Sequence, residues 1–190
     1  MTLNPSAKKS LRKHSTAKPG FNEALRVLKA VHDETGPAAD RALAIQGTAM
    51  IEHALEIEIK SHFKRNDDET LQRIFGAREN GPLCSLGARI QIAYALGGFG
   101  PATFNDLKTV VEIRNAFAHS AKPIGFDFPA IKTLCQSLHL HETLSVPDPA
   151  SGRDRFRGFV AKIVTALTIV VTVDDDEGED SFKIERVPLP

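Results

Sequence analysis

Six residues past the middle of the chain, Arg114–Asn115–Ala116–Phe117–Ala118–His119, bring a guanidinium, a carboxamide and an imidazole within about two helical turns. An imidazole that titrates near neutrality can shuttle a proton, and a guanidinium can steady a developing phosphorane oxyanion. Those are the parts that metal-independent RNA cleavage through the ribose 2′-hydroxyl requires, with Arg114, Asn115 and His119 as the catalytic residues. The same groups have a plainer use. Asn115 and His119, four residues apart, could cap a helix C-terminus, where a cation is favoured. On residue types alone both readings stand.

The helix that carries them separates their directions. In helical projection Arg114 falls in the middle of the apolar arc formed by Val110, Val111, Phe117 and Ala118. Lys108, Glu112, Asn115 and His119 form a separate polar stripe, with His119 roughly 140° away from Arg114. The two catalytic candidates therefore diverge within one chain, and only two copies across a two-fold axis would converge on one phosphate. A homodimer is expected on that ground, and Glu112, Asn115 and His119 are candidate interface residues.

A charge on an apolar face also needs a partner. The long helix expected from about Ala38 to Lys64 has the matching anomaly. Glu58 lies inside its apolar arc of Leu43, Gly47, Met50, Ile51, Ala54 and Leu55, while Glu52, His53, Glu56 and Lys60 lie outside it. Breaking a buried pair costs about 3–5 kcal/mol, so Glu58 and Arg114 are expected to form a structural ion pair. Arg89, projecting between Ala93 and Leu96, is a second inward-facing cation, unless it snorkels to the surface.

Taken in order, residues 1–20 lack periodicity and hold Lys8, Lys9, Arg12, Lys13 and Lys18 with no acid, a flexible basic arm. Asn22 can cap a first helix from Glu23 to about Thr35, which Gly36–Pro37 stops. The long helix follows, then a short one at Glu69–Phe75 behind an Asn66–Glu69 turn signal. Pro82 opens another helix, to about Leu96. Gly97–Pro101 is a tight connection between helices, without the spacing of a phosphate loop. The Arg114 helix runs from about Ala102 to Ser120, residues 124–128 read as extended, and Pro129 starts a helix to about Leu138. A last helix begins near Ser151, though Thr168–Val173 is β-branched enough to read as a strand. Residues 174–190, opening on six acids within residues 174–180, form an acidic tail. The whole is an all-α, single-domain bundle of about six to seven helices over residues 21–173.

Composition narrows the function classes. The chain has 190 residues, 42% hydrophobic and 25% charged, ordinary for one globular domain. Net charge is zero, and residues 21–173 are balanced on their own. Since nucleic-acid readers show a basic stripe, direct DNA binding is not expected, while RNA stays open. Arg153, Arg155 and Arg157 with Phe156 read as a solvated helix start. Cys84 and Cys135, lone thiols with no signal peptide, suit the reducing cytoplasm. The longest apolar run, Ile163–Val173, falls short of the ~20 residues a membrane span needs. His139 and His141 have metal-like spacing but no third ligand, so neither metal nor cofactor is expected.

The stretches Gly81–Gly97 and Ile113–Ser120 together resemble the mannitol operon repressor family, over about residues 40–120. That resemblance implies an all-helical transcriptional regulator. Arg114 through His119 also fits the Arg-x4–6-His motif of HEPN domains, with Asn115 as the polar residue after the arginine. HEPN proteins are helical bundles, often dimeric, and many are metal-independent ribonucleases. This chain departs from the family pattern at Ala116, where an acid is usual, and at Arg89–Ile90, where Lys–Ile is. The acid expected on a preceding helix would be Glu52, Glu56 or Glu58, and Glu58 faces the right way. The expectation is thus a regulatory or interaction module working through a protein partner, with a HEPN-type ribonuclease as the alternative.

Overall fold

The computed structural model describes residues 35–139 and 151–172 together with Arg26; the side chains of residues 169–172 are outside the description. The first helix read from the sequence, the basic arm and the acidic tail fall outside the described residues. Within them the fold is six α-helices and one 3-10 turn, with no strand. The helices are α1 (Pro37–Ser61), α2 (Asp68–Phe75), α3 (Leu86–Ala95), α4 (Pro101–His119), α5 (Pro129–Ser137) and α6 (Gly152–Thr172). None is long and apolar enough to cross a membrane.

Helix α1 is the central rod, packed against α6, α4 and α3. It begins where Gly36 takes φ 107°, a left-handed conformation that glycine adopts without strain, and Pro37 fills the first turn. Leu43, Ile51, Leu55 and Ile59 on α1 are fully buried, against Leu107, Val110 and Ile113 of α4 and Phe156, Phe159, Val160 and Ile163 of α6. Gly47 is the point of closest approach. A Cβ there would sit 3.2 Å from both Phe156 Cε1 and Val160 Cγ2, so the missing side chain lets α6 lie down on α1.

Ladder contacts fix the directions. Arg41 at the start of α1 bonds to Ala118 at the end of α4, whereas Glu58 lies under the Gly98 loop that precedes α4. Helices α1 and α4 are therefore antiparallel. Asp40 pairs with Arg153 and Gly47 meets Val160, so α6 runs parallel to α1.

Local signals set several ends differently from the sequence reading. Helix α3 starts at Leu86 instead of Pro82, because the Ser85 side chain accepts from the Ala88 amide. Residues 124–128 form a turn, closed by Phe128 N–H on the Gly125 carbonyl at 3.1 Å, and not a strand. The backbone of Thr168–Thr172 continues α6 instead of forming a strand, so the local β preference of the sequence does not decide its conformation.

Candidate functional site

The candidate motif occupies the last two turns of α4. Val110, Ile113 and Phe117 hold that end to the core, fully or almost fully buried. Lys108, Glu112, Asn115 and His119 are exposed along the opposite side, as the projection predicts, and Arg114 is half-buried. Among the described residues, the side chains of Glu112, Arg114, Asn115 and His119 have no hydrogen-bond or ion-pair partner. The last turn is instead satisfied from α1. Arg41 Nη2 donates to the Ala118 carbonyl at 2.9 Å, supplying the cation that a helix C-terminus favours. Asn115 and His119 are thus not needed as caps.

The expected Glu58–Arg114 ion pair is not formed, and the antiparallel packing is the reason. Arg114 lies one turn from Ala118 and so stands near the start of α1. Glu58 stands roughly 20 Å further along α1, counting from the residue opposite Arg114 at 1.5 Å per residue. Glu58 is buried at 2% exposure, and the carboxylate meets His62 Nε2 at 3.2 Å, one turn on in its own helix.

Among the described residues, the buried cation is Arg89. It is 7% exposed; Nε donates to the Leu83 carbonyl at 2.8 Å. Nη1 donates to the Glu52 carbonyl at 3.2 Å and to Glu56 Oε2 at 3.1 Å. The guanidinium also lies over the Phe75 ring, 5.2 Å from its centroid. Glu56 additionally accepts from Lys60 at 2.6 Å. Contrary to the projection, Glu56 does not face water: α3 and Phe75 roof over that edge of α1. This cluster joins α1, α2 and α3 and has the saturated partners of a structural network.

A second buried acid was missed by sequence reasoning. Asp106, 5% exposed, accepts from the His139 backbone amide at 3.1 Å and meets His139 Nδ1 at 2.9 Å. It ties the end of α5 to α4. Burial lowers the pKa of Lys162, and the nearby Asp106 charge works against that shift. His139 thus has its Nδ1 on Asp106, and His141 lies outside the described residues. Cys84 and Cys135 are free thiols. Burial pushes the Cys135 thiol up to about 12, with Arg155 acting weakly in the opposite sense.

The described residues thus form an all-helical bundle that carries a solvent-facing stripe, Glu112, Asn115 and His119, unpartnered among them. The chain belongs to the mannitol repressor family, whose model matches residues 27–160. The fold is also that of a chain in the X-ray structure of the MtlR–HPr complex from Escherichia coli, at TM-score 0.59 and 15% identity. That match covers 76% of this chain and 98% of the other. A search of curated proteins finds no match.

Proposed function

We propose that this protein is a transcriptional regulator of the mannitol-repressor type that acts by docking a protein partner, and that the α4 stripe is part of the docking face. The observation that carries the reading is family membership across residues 27–160. The E. coli relative of the same fold was crystallised with HPr, and an HPr-type protein is accordingly the first partner to try. The α4 stripe suits such a role because Glu112, Asn115 and His119 keep their hydrogen-bonding capacity for something outside the chain. Balanced charge over residues 21–173 fits a protein partner better than a phosphate backbone.

Calorimetric titration of the full chain with HPr tests this. Saturable binding that weakens at least fivefold in Glu112→Lys or His119→Glu supports the reading. Binding that both variants leave untouched removes α4 from the docking face, and no binding removes this partner.

The HEPN-type ribonuclease is the second reading, favoured by the unpartnered state of Arg114 and His119. In it Arg114 steadies the phosphorane, His119 transfers the proton, and a homodimer brings two copies of the motif together. Its test is cleavage of single-stranded RNA in EDTA. Activity lost in both Arg114→Ala and His119→Ala, with the fold retained, would establish the enzyme.

A further inference from the structure

Where α1 begins and α4 ends, the chain leaves a pocket of about 260 Å³. Phe117, Pro37, Pro123 and Ile124 supply apolar wall, and Arg41, Ser120 and Lys122 supply the polar atoms. No carboxylate lines it. The nearest acid on α1, Asp40, is already engaged: one oxygen pairs with Arg153 and the other accepts from the Phe126 amide at 3.0 Å. Arg41, exposed at the pocket mouth, uses Nη2 on the Ala118 carbonyl, which tethers the guanidinium and leaves its other donors uncommitted among the described residues. Ser120 Oγ donates to the Lys122 carbonyl at 2.6 Å, so the loop holding the lysine is shaped locally while its ammonium makes no ion pair among the described residues. The first residues of α1 form another wall, and their positive end potential stands against the negative one of the α4 C-terminus across the pocket, so the net positive character comes from Arg41 and Lys122.

We infer that this pocket binds a small organic anion, with a phosphate or carboxylate head on Arg41 and Lys122 and a short apolar body against Phe117, Pro37 and Ile124. Two cations with no carboxylate among the lining residues favour an anion, and a guanidinium suits its planar or tetrahedral oxygens. The volume lies just below the ~300–1,000 Å³ of sites for drug-sized ligands, so the occupant is small. The site is separate from the α4 stripe, and its test needs no protein partner.

The test is a backbone-amide NMR titration of the full chain with phenyl phosphate, benzoate and benzyl alcohol. Saturable shifts at residues 37–41 and 117–124 are expected with phenyl phosphate, benzoate or both, and their relative strength identifies the head group. Lys122→Gln, which removes no intramolecular bond, should weaken that binding about three- to tenfold, and Arg41→Gln should do so too. Equal shifts with benzyl alcohol would show an apolar crevice with no charge selection and overturn the inference. So would an absence of saturation with both anions, or binding that Lys122→Gln leaves unchanged.

Discussion

At the scale of single residues, the protein has two arginines that look alike in projection and differ in surroundings. Arg89 has a backbone carbonyl, Glu56 and an aromatic face around it; Arg114 has none of these. Arg89→Ala takes from Glu56 its partner on α3, leaving it Lys60, and should cost about 2–3 kcal/mol in urea unfolding. Arg114→Ala should change stability by no more than about 0.5 kcal/mol. The reverse ranking would mean that the Arg114 head is held in the core. Cys135 adds a pH signature. Its thiol is raised from 9.0 to about 12, so the native state keeps a proton that the unfolded chain gives up. The resulting stability is complete below about pH 9 and is lost as pH rises through about 12. Lys162 acts oppositely, because burial disfavours its charged form. Comparing the alkaline limb of wild type with Cys135→Ala isolates the thiol: the variant should lose less stability between those pH values. Equal alkaline losses in the two proteins would show that burial does not hold this proton.

The motif residues were legible in the sequence to different degrees. Exposure of Glu112, Asn115 and His119 followed from angle alone. The Glu58–Arg114 pairing failed because a helical projection gives angle and not height, and the two side chains stand at opposite ends of antiparallel helices. Asp106 was visible in principle. It projects within about 20° of Phe117, on the core side, and only its position near the helix start hid the anomaly. Arg89 was recognised as inward-facing, but its partners were misplaced on the solvent side of α1.

At the scale of elements, α1 governs the bundle because three helices cover it, which is why its polar edge at Glu52 and Glu56 ends up sheltered. The α1–α6 contact depends on Gly47. Gly47→Leu drives a side chain into Phe156 and Val160, and should destabilise the protein by about 1–3 kcal/mol or more by overpacking, read as a lower urea midpoint. Gly47→Ala, whose Cβ is 3.2 Å from those atoms, should cost less. An unchanged midpoint in Gly47→Leu would mean that α6 shifts freely on α1. Helix α2 stands on its cap. Asp67 accepts from the Thr70 amide and hydroxyl, both at 2.9 Å, and those bonds lower its pKa. Boundaries such as Leu86 against Pro82 were the least legible feature, since a cap at Ser85 competes with a proline that opens helices equally well.

At the scale of the whole molecule, the helical class and family were readable because apolar periodicity and two family-like segments, Gly81–Gly97 and Ile113–Ser120, lie largely on the elements that build the core. The proposed docking face was less so, as it rests on side chains that lack partners among the described residues. The central claim is that the protein works by engaging a protein partner through the exposed side of α4. It is tested most directly by titrating the full chain with the partner proposed above, beside Glu112→Lys and His119→Glu variants shown to unfold at the wild-type urea midpoint. Saturable binding to wild type and at least fivefold weaker binding to both variants are expected. An absence of binding, joined to EDTA-resistant RNA cleavage that disappears in Arg114→Ala and His119→Ala, would contradict the claim.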